Sequence, residues 1–122
     1  MSKLIYIASP FTHKDPAIRE ERTAAACKYA AQLMRNGYVA FSPIAHSTRI
    51  LQFAELPDTT AFWLQQDLAI LERCNEIHVL CLDGWQDSTG VKWELEQATN
   101  WSMTIRYIDP ITFAEVTAKK EA

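Results

Sequence analysis

The sequence predicts an α/β fold, a small doubly wound and mainly parallel sheet of four to five strands with helices on both faces. Short apolar runs alternate along the chain with longer segments rich in alanine and charge, and the boundaries carry prolines, glycines and helix-capping residues. The length of 122 residues suits one domain. We expect that domain to span residues 1–118, followed by a frayed tail at residues 119–122.

The first strand and the first helix are the most clearly marked elements. Residues 4–9 (LIYIAS) form a continuous apolar run that ends at a proline, which predicts a buried strand. Asp15 followed by Pro16 is typical of a helix start, with the aspartate as N-cap and the proline in the first helical position. The Asn-Gly pair at residues 36–37 predicts the end of that helix.

The middle of the chain carries weaker signals. Residues 38–42 (YVAFS) predict a second strand, again stopped by a proline. Residues 44–57 show no clear period, so we expect a loop of active-site size with at most one short helical turn. Asp58 or Thr59 is the expected cap of a second helix that runs to about Cys74.

The last third of the chain repeats the alternation. Residues 76–82 (EIHVLCL) predict a third strand, and residues 83–89 predict a polar loop before a helix that ends near Trp101. A strand over residues 104–108 follows, and an Asp-Pro pair at residues 109–110 is expected to open a last short helix. This order is typical of Rossmann-like and flavodoxin-like sheets, in which ligands bind beyond the carboxyl ends of the strands.

The composition argues against several classes of protein. A net charge of −3 predicts no basic face for a nucleic-acid backbone. No stretch reaches the roughly 18 apolar residues of a membrane span, and the first residues lack the features of a signal peptide, so we expect a cytoplasmic protein without membrane partners. Cys27, Cys74 and Cys81 match no metal-binding spacing and are expected to be buried, reduced thiols. No metal or other cofactor is expected.

Glu94 is the first of two carboxylates that require an explanation. In the third predicted helix Val91, Leu95 and Ala98 form an apolar stripe that faces the sheet. Glu94 lies on the edge of that stripe, whereas Glu96, about 200° further round the helix, points to solvent. Burial would raise the pKa of Glu94, and the nearby helix N-terminus would lower it. A helix-capping role and a reactive carboxylate both fit this pattern.

Asp67 poses the same question on the second predicted helix, where it interrupts an apolar face formed by Trp63, Ile70 and Cys74. Burying a lone carboxylate is costly, so Asp67 needs either a structural partner, such as a loop backbone, or a catalytic task. Two inward carboxylates at one rim of the sheet would suit nucleophilic and acid–base work at a glycosidic carbon.

Polar groups cluster before two of the predicted helix starts. The candidates are Ser9, Thr12, His13, Lys14, Ser88 and Thr89. Hydroxyl groups together with the free N–H groups of a helix N-terminus form a cradle for phosphate, although the same hydroxyls also cap helices routinely. Gly90 would let the backbone approach a ligand closely. Neither loop matches a dinucleotide-binding motif or a P-loop.

The remaining histidines and the tryptophans carry weaker signals. His46 follows the second strand, so it is a candidate to contact a base or a phosphate. His78 alternates within a strand and is expected to be a hydrogen-bonded core or edge residue. Trp85, in the loop after the third strand, is the best candidate to stack on a base. No spacing supports a metal shared between histidines.

Three segments carry a family resemblance. They are YIASPF at residues 6–11, DLAILERCNEIHVL at residues 67–80 and STGVKWELEQA at residues 88–98. In this order they resemble the nucleoside 2-deoxyribosyltransferase superfamily, and the third is the most specific because it combines Ser, Gly and a Glu-Leu pair at fixed spacing. Within the superfamily the chain is most similar to the 2′-deoxynucleoside 5′-phosphate N-hydrolases, the CMP N-glycosidases and uncharacterised bacterial and phage members.

The resemblance implies a role for each matched residue. Glu94 corresponds to the nucleophile that attacks C1′ and forms a glycosyl-enzyme, and Asp67 to the carboxylate that positions the sugar or helps to protonate the departing base. Tyr6 and the Ser9 loop correspond to the segment that frames the sugar and the phosphate. The turn that includes Ser88 and Gly90 corresponds to the phosphate-contacting turn before the nucleophile.

The implied activity is hydrolysis of the N-glycosidic bond of a (deoxy)nucleoside 5′-monophosphate, by a homodimer or larger homo-oligomer. Deoxyribosyl transfer and non-catalytic nucleotide binding are the alternatives. Lys92 stands where many relatives have a second glycine, which either crowds the pocket or adds a cation for phosphate, and it favours the binding-only alternative. The arginine common after the first strand of the hydrolases is missing, with His13 or Lys14 as possible substitutes.

Overall fold

The structure is a computed structural model that describes residues 2–57 and 59–117, with Thr60 described by its backbone alone. In chain order the elements are β1 (Leu4–Ala8), α1 (Pro16–Arg35), β2 (Val39–Phe41), α2 (Pro43–Ile50), α3 (Thr60–Leu71), β3 (Glu76–Leu80), a short 3₁₀ helix (Trp85–Asp87), α4 (Thr89–Asn100), β4 (Thr104–Ile108) and β5 (Glu115–Val116). The tail predicted at residues 119–122 lies outside the described residues.

The five strands form one sheet in the order β2-β1-β3-β4-β5. The first four strands are parallel, and β5 pairs antiparallel with β4. This arrangement confirms the predicted doubly wound, mainly parallel fold. Because β2 and β3 lie on opposite sides of β1, the strand order reverses beside β1, and the loops after β1 and β3 flank the position where such sheets bind ligands.

Helices cover both faces of the sheet, as the alternating side chains of the strands require. On one face Ile5 and Ile7 of β1 pack with Tyr29 and Leu33 of α1. The opposite face is covered by α3 and α4, and its core includes the following residues: Tyr6, Ala8, Leu71, Ile77, Val79, Val91 and Ala98. Burying each of the larger apolar side chains contributes about 1.5–3 kcal/mol, so the two cores hold the helices firmly on the sheet.

The helix starts follow the capping residues. The Asp15 carboxylate accepts a hydrogen bond from the Ala17 N–H at 2.9 Å, as predicted. The Thr59 hydroxyl oxygen accepts one from the Phe62 N–H at 3.2 Å, so Thr59 caps α3. Asp58, the alternative cap, lies outside the described residues.

The prediction of a loop over residues 44–57 was wrong in its first half. Residues Pro43–Ile50 form the two-turn helix α2, and the Ser42 hydroxyl oxygen accepts a hydrogen bond from the Ala45 N–H at 3.1 Å. The Ser-Pro pair at residues 42–43 therefore starts a helix in the same way as the Asp-Pro pair at residues 15–16, although no long apolar stripe follows it.

The last helix that we predicted from Asp109-Pro110 was also wrong. The Asp109 carboxylate does accept hydrogen bonds from the N–H groups of Ile111 and Thr112, at 2.8 and 2.9 Å. The chain then turns back at Phe113, where φ is +63°, and continues into β5. The capping contacts thus form a turn, because a left-handed residue interrupts the helical path.

A cluster of charged and polar side chains around the buried Glu76 lies near the amino ends of β1 and β3, away from the loops that flank the switch in strand order. The Glu76 carboxylate is 5% exposed and lies 2.7 Å from His78 Nε2, 3.2 Å from Arg106 Nε and 3.3 Å from Lys3 Nζ. The other ring nitrogen of His78 lies 2.6 Å from the Tyr29 hydroxyl. His78 is therefore the hydrogen-bonded core residue that we predicted.

Cys74 and Cys81 are buried as predicted, but Cys27 is exposed, because it lies on the side of α1 that faces away from the sheet. Among the described residues, the helices include none with the length and apolarity needed to cross a bilayer.

Candidate active site

Tyr6 and Glu94 form a buried hydrogen-bonded pair between the sheet and α4. Tyr6 lies in the middle of β1, on the face covered by α3 and α4, and is 0% exposed. Glu94 lies on the inner side of α4 and is 5% exposed, whereas Glu96 is exposed, as the helical phase predicts. The Tyr6 hydroxyl donates a hydrogen bond to the Glu94 carboxyl group. This contact places Glu94 against the centre of the sheet, one turn below the start of α4.

Burial dominates the ionisation of this pair. It raises the pKa of Glu94 to about 8, with a smaller upward contribution from the charge of Asp67, while the hydrogen bond from Tyr6 acts in the opposite direction. The pKa of Tyr6 is also raised well above its ordinary value, first by burial and then by the charge of Glu94. Tyr6 therefore keeps its proton near neutral pH, and Glu94 is a carboxyl group of high proton affinity that is itself largely protonated there.

Asp67 is the third member of the site. It is half-buried on α3, and burial raises its pKa to about 6. Its charge raises the pKa of both Glu94 and Tyr6, so the three side chains act on one another electrostatically. Two carboxyl groups with raised pKa values and a phenol that holds its proton give the site a group able to donate a proton and a group able to accept one.

The predicted phosphate-binding residues lie in the two loops beside the switch in strand order. The Ser9 hydroxyl oxygen is buried and has no hydrogen-bond partner within the described part of the chain. His13 is held by the Asp15 N–H, which donates to Nδ1 at 2.9 Å, so the neutral ring carries its proton on Nε2. Thr12 is exposed, and its carbonyl oxygen accepts a hydrogen bond from Arg22 at 3.0 Å. Lys14 is exposed.

The turn before α4 combines a serine N-cap with a glycine in the first turn of the helix. The Ser88 hydroxyl oxygen caps α4 by accepting a hydrogen bond from the Val91 N–H at 3.3 Å, which leaves its own proton available. A Cβ added at Gly90 would meet its nearest neighbour, Ser88 Oγ, at 3.9 Å, so packing within the protein does not require a glycine there. Lys92 is exposed and lies about 200° round the helix from Glu94, so its side chain does not crowd that carboxyl group.

A row of aromatic rings connects Tyr6 with the surface. The Phe41 ring lies 6.0 Å from the Tyr6 ring and 5.4 Å from the His46 ring, measured between centroids. His46 is exposed on α2 and therefore stands at the outer end of this row. Phe41 was not among the residues that the sequence singled out. Its signal was its position as an aromatic residue at the carboxyl end of a predicted strand.

Trp85 does not have the position that we expected for a ring that stacks on a base. It is 9% exposed and packs in the core against Tyr107, with the ring centroids 5.6 Å apart. Its indole Nε1 is buried without a hydrogen-bond partner in the part of the chain that the structure describes. The short 3₁₀ helix turns this side chain inward, so its faces are used in packing.

Residues 3–108 match a family described as Domain of unknown function (DUF1937). The chain belongs to the DUF1937 family. No curated protein matches the sequence of this DUF1937 member.

The fold of this DUF1937 member is similar to that of a 2-deoxyribosyltransferase from the psychrotolerant bacterium Bacillus psychrosaccharolyticus. The two structures agree with a TM-score of 0.60 at 22% sequence identity, over 95% of this chain and 78% of that chain. That protein is described as a biocatalyst for the synthesis of antiviral and antitumoral nucleosides. The likeness shows a deoxyribosyltransferase-like α/β fold.

Proposed function

We propose that the protein hydrolyses the N-glycosidic bond of a (deoxy)nucleoside 5′-monophosphate, with Glu94 as the nucleophile. The observation that carries this proposal is the buried Glu94 carboxyl group, hydrogen-bonded to Tyr6 and electrostatically coupled to Asp67. A carboxyl group that is desolvated yet held by a neutral phenol is costly to maintain in a core that could otherwise be apolar. Placed beneath the ligand-binding edge of a doubly wound sheet, it suits nucleophilic attack at a sugar carbon.

In the first step the ionised Glu94 carboxylate attacks C1′ and forms a glycosyl ester. The C1′–N bond breaks, and its electron pair passes to the nitrogen of the departing base, which takes a proton from Asp67. The pKa of Asp67, raised to about 6 by burial, lets part of the population hold that proton near neutral pH. The positive charge that develops at C1′ favours the ionised form of Glu94 although burial raises its pKa to about 8.

In the second step water hydrolyses the glycosyl ester. Asp67, now ionised, accepts a proton from the water, whose oxygen forms the new bond to C1′ while the bond to Glu94 breaks. Two displacements at C1′ retain the configuration of the sugar. The Tyr6 hydroxyl donates to Glu94 before and after the reaction and orients the carboxylate toward C1′. No step needs a metal or a redox cofactor.

The preference for a 5′-monophosphate rests on the two rim loops. The start of α4 offers backbone N–H groups, a serine hydroxyl with a free proton, and space above Gly90. Ser9, whose buried hydroxyl has no hydrogen-bond partner among the described residues, and the Nε2–H of His13 provide further donors in the loop after β1. Together these groups would bind the three oxygens of a phosphate.

The proposal is tested by incubating the full chain with deoxynucleoside monophosphates, ribonucleoside monophosphates and the free nucleosides, and by measuring the free base with liquid chromatography. We expect base release from at least one monophosphate and a loss of about a thousandfold or more in Glu94→Ala. Glu96→Ala is the matched control, because Glu96 is an exposed carboxylate on the same helix. Tight nucleotide binding without base release would overturn hydrolysis and favour the binding-only alternative.

Transfer of the sugar to a second base is the other candidate activity, favoured by the likeness to a 2-deoxyribosyltransferase fold. The first step would be the same, with a base replacing water in the second. Adding a different free base to the assay and measuring the exchanged nucleoside or nucleotide separates the two activities. A homo-oligomer, which the resemblance implies, is part of the proposal and is tested by the molar mass in light scattering.

A further inference from the structure

Arg22 connects the two loops that flank the switch in strand order. It lies on α1, and its guanidinium donates one hydrogen bond to the Thr12 carbonyl oxygen and another to the Asp83 carbonyl oxygen, both at 3.0 Å. Thr12 belongs to the loop after β1, and Asp83 to the loop after β3. The two carbonyl groups lie 71 residues apart in the sequence, at positions 12 and 83, and one side chain binds both.

The loop after β3 is shaped around this guanidinium. Gly84 has a φ of +85°, and a Cβ added there would lie 3.0 Å from Arg22 Nη2. A side chain at this position would therefore both strain the backbone and press on the guanidinium. Arg22 also lines a cavity of about 250 Å³ together with His13 and Asp83, so the connection lies at the solvent-accessible edge of the site.

The geometry requires an arginine. The planar guanidinium presents N–H groups in a fixed fork, so that two separate carbonyl oxygens can be bound at once with little loss of side-chain entropy. A lysine would carry the same charge on a single ammonium group and would not hold two acceptors at a fixed separation. Arg19 is the natural comparison, because it lies on the same helix and, among the described residues, its side chain donates to the carbonyl oxygen of His13 alone, in the loop after β1.

We propose that Arg22 is a positioning residue that sets the distance between the loops after β1 and β3. Through them it places Ser9 and His13 relative to the phosphate-binding turn at Ser88. This inference rests on the proposed function for its catalytic consequence, but its structural part does not. The hydrogen bonds of Arg22 go to Thr12 and Asp83 and not to Glu94 or Asp67. Replacing Arg22 should therefore change the placement of the substrate and leave the two carboxyl groups in position.

The structural part is tested by amide hydrogen exchange of the full chain in Arg22→Ala, Arg22→Lys and Arg19→Ala. We expect Arg22→Ala to speed exchange about tenfold in both loops, residues 11–15 and residues 83–88, and Arg22→Lys to give a smaller increase in both. Arg19→Ala should affect the first loop alone. Unchanged exchange in the second loop of Arg22→Ala, or an equal increase there in Arg19→Ala, would overturn the inference. If Arg22→Ala does not fold, amide exchange in residues 83–88 of Arg22→Lys is compared with wild type and with Arg19→Ala, and unchanged exchange there would overturn the inference.

The catalytic part is tested by steady-state kinetics with whichever monophosphate the wild type hydrolyses. Arg22→Lys should raise KM about tenfold and change kcat less than about threefold, because the carboxyl groups stay in place. A fall in kcat at constant KM would contradict the positioning role. If the wild type releases no base, the proposed function fails, and the exchange measurements still decide whether Arg22 connects the loops.

Discussion

At the scale of single residues, the proposed chemistry depends on how Tyr6 controls Glu94. The hydrogen bond from Tyr6 lowers the pKa of Glu94, against burial and the charge of Asp67, which raise it. A hydrogen bond to a charged group contributes about 1.5–3 kcal/mol. Tyr6 therefore makes the reactive, ionised form of Glu94 accessible within a buried site.

Replacing Tyr6 by Phe removes that hydrogen bond with little change in shape. We predict that the pKa of Glu94 rises further, so that a smaller fraction of the protein combines an ionised Glu94 with a protonated Asp67. The value of kcat should fall about ten- to a hundredfold at neutral pH, and the alkaline limb of its pH profile should move to higher pH. The pH profile of kcat in wild type and variant measures both effects. Phe41, which packs beside Tyr6 without a hydroxyl group, provides the control variant Phe41→Leu, whose profile should keep its midpoint.

Glu94 also has a predictable effect on stability. Its pKa is about 8 in the folded chain, against an ordinary value of 4.5. Between pH 4.5 and about pH 8 the Glu94 carboxyl group is protonated in the folded chain and ionised in the unfolded chain. Its contribution to the free energy of unfolding is therefore complete below pH 4.5 and is lost as the pH rises toward 8. The glutamine side chain does not ionise, so it does not lose stability over this pH range. We therefore predict that Glu94→Gln unfolds roughly 5 °C higher than wild type at about pH 8.

Thermal unfolding by circular dichroism at a series of pH values checks this result. The difference between Glu94→Gln and wild type should shrink as the pH is lowered toward the ordinary pKa of glutamate. A variant that is less stable than wild type at about pH 8 would show that the carboxylate is stabilised by its surroundings and is not held there at a cost.

At the scale of secondary-structure elements, the glycine at the start of α4 is explained by ligand binding better than by packing within the protein. Gly90 lies in the first turn of the helix, where alanine would be the better helix former by about 0.5–1 kcal/mol. A Cβ at this position would find ordinary contact distances within the protein, the nearest being 3.9 Å. A glycine that packing does not demand is understandable if a ligand approaches the backbone there.

We therefore predict that Gly90→Ala leaves the protein as stable as wild type or slightly more stable, and raises KM for the monophosphate about tenfold or more. Thermal unfolding and steady-state kinetics on the same preparation give the two numbers. Gly37 provides a control in which packing and backbone conformation matter and ligand binding does not. Its φ of +89° disfavours any side chain, so Gly37→Ala should lower stability and leave KM unchanged. Equal KM values for Gly90→Ala and wild type would contradict the proposed approach of the phosphate.

The elements also show what the sequence could predict and what it could not. The strands β1, β3 and β4 follow from apolar runs, and α1 follows from its cap and its terminal glycine, because these signals are local. The Asp-Pro pair at residues 109–110 was misinterpreted, because only the left-handed turn at Phe113 distinguishes it from a helix start. Helical phase indicated that Glu94 faces inward, but its partner Tyr6 lies 88 residues away, and no local pattern reports such a contact.

At the scale of the whole molecule, the sheet has a candidate catalytic site on one side and a charge cluster at Glu76 on the other. Burial raises the pKa of Glu76, but the hydrogen bonds and charges of His78 and Lys3 outweigh it and hold the pKa below its ordinary value. Burial also lowers the pKa of His78 against the influence of Glu76, so the ring is neutral near neutral pH. The cluster is thus organised around an ionised Glu76.

Both shifts predict loss of stability in acid. A group whose pKa is lowered by folding contributes stability above its ordinary pKa and loses it as the pH falls: His78 from about 6.5 downward, and Glu76 below about 4.5. We predict that Glu76→Gln lowers the melting temperature by roughly 5 °C or more near pH 7, and by less near pH 4. Glu72→Gln is the matched control, because Glu72 forms an exposed ion pair with Arg73 and should change little.

The central claim, that Glu94 is the nucleophile, is tested most directly by looking for the covalent intermediate. Reactions of wild-type protein with the cleaved monophosphate are quenched at short times, digested and mapped by mass spectrometry. We predict that the sugar phosphate is attached to the peptide that contains Glu94 and that the adduct forms together with the first free base. The adduct should then decay as water hydrolyses the glycosyl ester. Free base without an adduct on that peptide, or an adduct on another residue, would contradict the account.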